Sequence, residues 1–300
     1  MSKHIISGHL NLSPEDFLPA SKEEKESLVV MRQSVSFWQD GFRRLLKNKV
    51  ALASLAVFFV ILILAFIVPI FYPYNYAIQL KGSERLMPMQ YSAGELARIA
   101  AGEKVFPHIL GTDSLGRDYA IRVMMGARIS LIVGLLASFI VLIIGSIYGS
   151  VAAFTGGWVD LIMMRIVDII YTVPDILLII LLTFALKKPM KLLASAPGFG
   201  WINVLGINLI SIFIVFALLY WVGMARIVRG QILVLKEQEY VTAARALGAK
   251  SGQIIRKHLL TNTIGTLIVT TTLQIPSAIF TESYLSFLGL GATPPTPEWG

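Results

Sequence analysis

The sequence predicts an all-α, multi-pass membrane protein, and three observations predict it. Apolar residues make up 55% of the 300 residues, charged residues only 15%, and the mean hydropathy is +0.71. A soluble domain would carry about 25% charged residues. The apolar residues gather in runs long enough to cross about 30 Å of hydrocarbon. Basic residues flank these runs, as the topology of membrane proteins requires.

The first 49 residues precede the first of these runs. Residues 1–33 are polar and mixed in charge, which predicts a disordered tail. Over residues 34–49, apolar side chains that include Trp38 and Phe42 recur at helical spacing opposite basic ones. This pattern predicts an amphipathic helix that lies on a membrane surface, and a helix packed on a partner protein is the alternative.

Five apolar runs predict five membrane-spanning helices. They cover residues 50–70, 129–154, 161–186, 204–222 and 263–281. The polar segment between the first two, residues 71–127, is predicted to be extracytoplasmic, and residues 128–300 form the core. Because the chain ends on a Pro-rich run soon after the fifth span, we expect a further span beyond Gly300.

The orientation is predicted from the basic flanks of the spans. Four basic residues, Arg43, Arg44, Lys47 and Lys49, precede the first span, which places the N-terminus in the cytoplasm. The loop over residues 223–262 returns to that side and is also basic.

The loop ends in an island of charge, residues 237–262, between two apolar runs. Its first half is rich in helix formers and carries Val241, Ala244 and Leu247 on one stripe. Gly248 follows at a place where the end of a helix favours a left-handed residue. Ser251 is the predicted N-cap of a second helix over residues 253–260. The prediction is a compact, water-facing knob that can transmit force from a soluble partner.

The fifth span carries a polar stripe along one helix face. Its members are Thr263, Thr266, Thr270, Gln274, Ser277 and Thr281. Each hydroxyl can bond to the carbonyl one turn back, which requires no function. The alternatives are a water-filled passage and a helix contact, and Gln274 argues for one of these two.

The third span contains charged residues, which are costly in lipid. Arg165 and Asp168 are spaced to pair with each other on one helix. Pro174 predicts a kink, and Asp175 is predicted near the middle of the span, either in a structural ion pair or in the wall of a passage. In the second span, Gly145, Gly149 and Ala153 recur every four residues, which predicts close helix packing, within this chain or against another subunit.

The sequence carries no pattern of an enzyme. HExxH, GxSxG, metal-ligand spacings and the phosphate-binding GxxxxGK[ST] are absent, so no catalytic, cofactor or metal residue is assigned. There are no cysteines, and the four histidines are predicted to be surface residues. The net charge of +8 is explained by the flanks of the spans, and nucleic-acid binding is excluded because no groove-reading motif is present. If the protein uses ATP, another chain binds it.

Four motifs, in order along the chain, resemble one family. Residues 239–261 resemble the EAA loop of bacterial ABC importer permeases, with Ala243, Ala244, Gly248 and Leu260 on its pattern and Thr242, His258 and Thr261 departing from it. GTDSLGRD resembles a segment of the oligopeptide, dipeptide and nickel permeases, in the oligopeptide permease C-type subunit. Its matching residues are Gly111, Thr112, Asp113, Gly116, Arg117 and Asp118. ARIVRGQ (225–231) and ESYLSFLGLG (282–291) resemble the same subunits.

The resemblance implies a type I ABC transporter transmembrane domain with six spans, in the bacterial plasma membrane. Such a permease subunit pairs with a homologous permease, docks on two ABC ATPase subunits and receives cargo from an extracytoplasmic substrate-binding protein. Glu239, Arg245 and Arg256 are candidate polar contacts to the ATPase, and a solvated face is the alternative for each. Thr266, Thr270, Gln274, Ser277 and Asp175 are the candidate passage lining.

The resemblance implies import of oligopeptides or dipeptides, although nickel chelates and other small cargoes occur in similar permeases. A stand-alone channel or ion-driven secondary transporter is the alternative, and a membrane scaffold without transport is a third interpretation. Copurification with an ATPase subunit distinguishes the first interpretation from the other two.

Overall fold

The computed structural model describes residues 37–202 and 206–291, and these residues are mostly helical. The helices are α1 (Phe37–Lys47), α2 (Lys49–Phe66), α3 (Val68–Phe71), α4 (Ala93–Ala100), α5 (Tyr119–Thr155), α6 (Gly157–Thr172), α7 (Asp175–Ala194), α8 (Ile207–Leu219), α9 (Trp221–Leu235), α10 (Glu239–Ala246), α11 (Ser251–Ile254) and α12 (Leu260–Phe287), with a π-helical turn at Ile255–Leu259. Within the described residues there is no β-strand, which confirms the all-α class. The predicted tail at 1–33, the first two residues of the fourth span and the end of the chain from 292 lie outside the described residues.

The chain divides into two compact units, residues 1–57 and 58–300. In the first unit, α1 exposes Phe42 and Leu46 one turn apart, beside the exposed cation Lys47. The side chain of Asn48 accepts hydrogen bonds from the Val50 and Ala51 N–H groups, at 3.1 and 3.2 Å, and thereby starts α2. The amphipathic helix is therefore present, and its place on a membrane surface stays a prediction.

Four helical runs of the described residues are long and apolar enough to cross a membrane. They are Lys49–Phe71, Tyr119–Thr155, Ile207–Leu235 and Ser251–Phe287. The pair α6 and α7, bent by 89°, makes a fifth if the two helices form one span. The protein is therefore a multi-pass membrane protein, and each predicted apolar run overlaps one of these helical segments.

The predicted ends of these spans differ from the observed ones. The helix of the second span, α5, begins at Tyr119, so residues 119–127 belong to α5 and not to the polar segment. Asp118 starts α5 by accepting the Ile121 N–H at 3.0 Å. Arg128 does not interrupt the helix, because it donates to the Ala65 and Phe66 carbonyls at the end of α2, at 2.9 and 3.2 Å.

The loop predicted over residues 223–262 is also shorter. Helix α9 continues to Leu235, and α11 runs through the π-helical turn into α12 without leaving helical geometry. Only residues 236–250 separate the two long helical runs. The charges that suggested a loop in α9 are neutralised, since Arg226 and Arg229 pair with aspartates of α6.

The third predicted span is a broken helix. The sequence predicts one span over 161–186 with a kink, but the structure has two separate helices bent by 89°. Val173 is extended, with φ −85° and ψ 135°, and Pro174 follows it. Proline disfavours the α conformation of the residue before it and supplies no N–H, so the helix ends there. Asp175 is consequently the first residue of α7 and does not lie in the middle of a helix.

Helix α5 forms the centre of the core because its small residues admit other helices closely. A Cβ atom on Gly145 would lie 2.5 Å from Met224 Cβ, and one on Gly149 would lie 2.4 Å from the Ala225 carbonyl oxygen. Ala153 is fully buried. Of the two alternatives for this stripe, the structure shows packing within the chain, and the partner of Gly145 and Gly149 is α9.

Candidate functional site

Three regions contain the candidate residues: the polar segment before α5, the knob between α9 and α12, and the break between α6 and α7. In the first region, the GTDSLGRD turn needs glycine at two positions. Gly111 has φ +76° and Gly116 has φ +72°, in the left-handed region. Added Cβ atoms would lie 2.2 Å from the Leu86 carbonyl oxygen and 2.3 Å from that of Leu80. These glycines therefore allow two backbone segments to touch.

The polar residues of the same turn hold it closed. Asp113 accepts the backbone N–H groups of Leu115 and Arg117, at 2.8 and 2.9 Å, and the Arg117 guanidinium at 2.7 Å. Burial alone would raise the pKa of Asp113, but these hydrogen bonds outweigh it and lower the pKa. The Thr112 hydroxyl accepts the Leu86 N–H at 2.8 Å and donates to the Ser83 carbonyl. The GTDSLGRD segment thus stabilises its own turn and binds it to the backbone at Ser83 and Leu86.

His108 lies at the centre of this region and is fully buried, so its predicted place on the surface is wrong. Its Nδ1 lies 2.7 Å from the Asp118 carboxylate and its Nε2 lies 3.0 Å from that of Glu95. Its ring stacks on Tyr74, with centroids 4.3 Å apart. Spacing could not reveal this cluster, because its carboxylates lie 10 and 13 residues away along the chain. Asp118 both caps α5 and binds His108, so the cluster fixes the polar segment to the long helix.

The second region, the knob, turns at Gly248 as predicted, since its φ is +82°. The predicted stripe divides, however: Val241 is fully buried with Ile254 and Leu259, whereas Leu247 is 89% exposed. Helix α10 ends at Ala246, and the change of direction there turns Leu247 outward. Lys250 takes the N-cap position of α11, one residue before the predicted Ser251.

The knob is attached to both long helices behind it. Arg245 lies over the ring of Phe154 at 5.4 Å, and the Lys236 ammonium donates to the Ala153 carbonyl at 3.1 Å. The first contact joins the knob to the end of α5, and the second joins the end of α9, just before the knob, to the same place. On the other side, Asn262 of α12 donates to the Tyr240 hydroxyl at 3.1 Å. The knob region is therefore in direct contact with both α5 and α12.

The remaining coupling candidates differ in exposure. Glu239, Ala243 and Arg256 are exposed, while Ala244 and Leu260 are half-buried. The Thr261 hydroxyl donates to the Arg256 carbonyl at 3.2 Å, across the π-helical turn. Such turns are frequent at functional sites, and the helix predicted over residues 253–260 did not anticipate this one.

The third region is a cavity of ≈460 Å³ at the break between α6 and α7. Its wall includes Tyr171 and Asp175 from the two sides of the break, Tyr220, and Gln274 of α12. Of the predicted passage residues, the cavity therefore brings Asp175 and Gln274 together. It does not include Thr266, Thr270 or Ser277.

The hydroxyls of the polar stripe mostly bond to their own helix. Thr270 donates to the Thr266 carbonyl at 2.8 Å, and Thr281 donates to that of Ser277 at 3.0 Å. The Thr281 hydroxyl also lies 2.7 Å from the Tyr220 hydroxyl. Gln274 is thus the member of the stripe that faces the cavity, as its side chain suggested.

Two ion pairs join α6 to α9 beside this cavity. The predicted pair of Arg165 with Asp168 is wrong, because Asp168 lies 2.7 Å from Arg226, whose guanidinium also lies 4.3 Å from the centre of the Tyr171 ring. Asp160 binds Arg229 through both oxygens. Both partners lie far along the chain, so helical spacing could not identify them. In the part of the chain that the structure describes, no cluster of His, Asp or Glu could hold a metal ion.

Comparisons with known proteins agree with this arrangement. Residues 142–300 match the family described as binding-protein-dependent transport system inner membrane component. Residues 36–88 match the N-terminal TM domain of oligopeptide transport permease C. Three of the four motifs that carried the resemblance lie in the first matched region, and GTDSLGRD at 111–118 lies between the two regions. Together the two regions cover most of the chain.

Several characterised relatives are similar over nearly the whole chain. The dipeptide transport system permease protein DppC of Bacillus subtilis is 41% identical, over 97% of this chain and 80% of its own length. The oligopeptide transport system permease protein OppC of the same organism is 37% identical, over 97% and 84%. OppC of Escherichia coli is 34% identical, over 93% and 83%.

The fold, the knob and these similarities define a membrane transport permease with a type I ABC transporter transmembrane domain. The chain belongs to the family of binding-protein-dependent transport system inner membrane components.

Proposed function

We propose that this chain is the permease subunit of an ATP-driven ABC importer that takes up oligopeptides or dipeptides. Relatives at 34–41% identity are named dipeptide or oligopeptide transport permeases. In this proposal a homologous permease completes the passage, two ABC ATPase subunits bind below, and an extracytoplasmic substrate-binding protein delivers the peptide. ATP hydrolysis takes place on the ATPase subunits, since this sequence carries no phosphate-binding motif.

The knob is the observation that carries the proposal. An apolar side chain that is 89% exposed, Leu247, stands at its tip beside the sharp turn of Gly248. Water does not favour such an exposed leucine, and a groove of a soluble partner would bury it. The exposed Glu239 and Arg256 can make polar contacts around it, whereas Arg245 already contacts Phe154 and serves as an internal link.

The mechanism follows from the attachments of the knob. ATP binding draws the two ATPases together and moves both knobs. Arg245 and Lys236 pull on α5, and Asn262 follows on α12. Helix α9 is bound to α6 by two ion pairs, so the walls of the cavity at the helix break move as well. The passage between the two permeases then opens alternately to either side of the membrane. Binding of ATP to the ATPase subunits changes the proportions of the inward-open and outward-open states.

In this proposal the chain lies in the bacterial plasma membrane with its N-terminus and its knob on the cytoplasmic side. Helix α1 then lies along the inner surface, with Phe42 and Leu46 toward the acyl chains and its cations toward anionic head groups. The segment locked by His108 and the GTDSLGRD turn faces outward and holds the outer end of α5.

Substitution of Gly248 in the complete reconstituted importer tests this function. Gly248→Asp should leave the assembled complex in the membrane but reduce peptide uptake about tenfold or more per ATP hydrolysed, because a side chain strains the left-handed turn and stands at the partner's surface. Apart from its chain neighbours, no described residue lies within 4 Å of a Cβ atom at that position, so the fold has room for the start of a side chain.

A second substitution at the same position separates backbone strain from contact with the partner. Asparagine adopts the left-handed conformation more readily than other residues, so Gly248→Asn should retain more coupling than Gly248→Val. Gly252→Ala is the matched control, since that exposed glycine has no positive φ. Normal uptake by Gly248→Asp would refute the role of the knob.

The stand-alone channel or ion-driven transporter is not favoured, because the matching family is described as an inner membrane component of binding-protein-dependent transport systems. Copurification of the tagged chain with an ATPase subunit should succeed, and its reproducible failure under conditions that keep the chain folded would favour that alternative.

A further inference from the structure

The cavity at the broken helix has a distinctive electrostatic character. Among the described residues that line it, Asp175 is charged and none is Lys or Arg. Tyr171, Tyr220 and Gln274 are its polar neighbours there, and most of the other lining residues are apolar. The wall that this chain contributes is therefore negative and aromatic.

The break in the helix brings two helix ends to the cavity, and the positive N-terminal end of α7 carries the carboxylate of its own first residue, Asp175. Helix α6 ends at Thr172, so its last carbonyl groups carry the negative end of the helix dipole to the cavity. Residues 170–172 line the cavity directly. Half-helices that end in a transport pathway can bind cations in this way.

The Asp175 carboxylate is available to a ligand. It is exposed, and one of its oxygens accepts the N–H of its neighbour Ile176 at 2.8 Å. None of the ion pairs found in the described residues includes it. The nearby cation Arg226 is bound to Asp168 at 2.7 Å and stacked on Tyr171, so its charge is already engaged.

We infer that Asp175 receives the terminal ammonium group of the peptide as the peptide passes the cavity. This inference rests on the proposed function, which makes the cargo a peptide. An ammonium group offers three N–H donors and a positive charge, which suit a carboxylate and the ring of Tyr220. The Gln274 amide can bond to the first peptide group behind it. Exposure of Asp175 keeps the interaction weak, as passage requires a site that releases its cargo.

The charge of the cavity can be measured without any cargo. Because the chain has no cysteine, Gln274→Cys supplies the one thiol in this subunit. In the complete complex with other subunits free of accessible thiols, a trimethylammonium-carrying and a sulfonate-carrying methanethiosulfonate would be compared. We expect the cationic reagent to react about five to ten times faster relative to the anionic one when Asp175 is present than in the Asp175→Asn background. An unchanged ratio would overturn the inference.

Uptake of trialanine by proteoliposomes is the second measurement. Asp175→Asn should reduce the initial rate about tenfold at low peptide concentration, and Asp175→Glu should restore part of it. Glu84→Gln is the matched control, because it removes one exposed negative charge far along the chain from the cavity residues and keeps an acceptor for the Gly82 N–H.

The two measurements distinguish the inference from the proposed function. If the wild-type complex does not import trialanine or any other peptide, the proposed function fails, and the ratio of the thiol reagents still decides whether Asp175 attracts cations. If the wild-type complex imports trialanine and Asp175→Asn imports it at the same rate, the role of Asp175 is refuted while the importer function stands.

Discussion

The guanidinium of Arg229 donates two hydrogen bonds to the carboxylate of Asp160, each 2.6 Å long. This paired geometry joins α9 to the first turn of α6, and Arg226 with Asp168 joins the same helices nearer the cavity. Two arginines that are three residues apart thus hold one wall of the cavity to the helix that leads into the knob. This arrangement explains the arginines of ARIVRGQ without any contact to a substrate.

Removal of the Arg229 side chain should destabilise the subunit. In Arg229→Leu the Asp160 carboxylate, only 14% exposed, loses its partner, and we expect a cost of about 2 kcal/mol. The double variant Arg229→Leu with Asp160→Leu should recover part of the loss, since no unpaired charge remains. Arg165→Leu, on the exposed face of α6, is the control and should change little. Thermal unfolding of the purified complex measures all three, and additive losses in the double variant would contradict the coupling.

Close backbone approach at the GTDSLGRD turn leads to a second prediction. Gly111→Ala places a Cβ 2.2 Å from the Leu86 carbonyl oxygen in a left-handed conformation, so it should cost about 2 kcal/mol or more. Gly94→Ala lies in α4 with open space around it and should change stability by about 0.5 kcal/mol or less. Limited proteolysis of the polar segment before α5 compares the two variants. Equal resistance would show that the turn tolerates a side chain.

The polar segment should also weaken in acid, because its carboxylates are stabilised in their charged form. Burial alone would raise the pKa of Glu95, but hydrogen bonds from the Ser92 N–H and hydroxyl and the neighbouring His108 lower it overall. A lowered folded-state pKa means that the stabilisation is complete above the ordinary glutamate pKa of about 4.3 and is lost as the pH falls through the lower value.

Amide hydrogen exchange over residues 92–118, corrected for the intrinsic effect of pH on exchange, measures this loss. Glu95→Gln should remove the part of the acid sensitivity that belongs to this residue, and Asp113, whose pKa is also lowered, should retain the rest. If Glu95→Gln keeps the full acid sensitivity of the wild-type chain, the assignment to Glu95 is wrong.

Features that depend on local sequence were predictable. The spans follow from the length of apolar runs, and the left-handed turn at Gly248 and the tight packing at Gly145 follow from what glycine allows. The cavity residues Asp175 and Gln274 stand out in the sequence because a charge or an amide is costly in an apolar span.

Features that depend on distant partners were not predictable. Residues 223–235 carry two arginines that a single helix cannot neutralise, and their partners Asp168 and Asp160 lie 58 and 69 residues away along the chain. The burial of His108 between Glu95 and Asp118 likewise follows from how the polar segment folds back. A single sequence shows the charge but not the partner that neutralises it.

The passage itself can be tested by single cysteines along α12 in this naturally cysteine-free chain. A water-soluble thiol reagent should label Gln274→Cys, whose position lines the cavity, and should leave Thr263→Cys, which is 1% exposed, unlabelled. The informative control is Leu273→Cys. Leu273 is 70% exposed but does not line the cavity, so lipid or the partner permease should cover it in the membrane.

The comparison of positions 273 and 274 distinguishes a position in contact with water from one that is exposed only to lipid or to the partner permease. In detergent-free membranes we expect Gln274→Cys to react about tenfold faster than Leu273→Cys, because the thiolate that reacts needs water and adjacent helix positions face different directions. Addition of a non-hydrolysable ATP analogue to the complete importer should change the rate at position 274, since the cavity walls move with the knob. Equal rates at positions 273 and 274, or a rate at 274 that ignores the nucleotide, would mean that this cavity is a gap in the packing and not part of the passage.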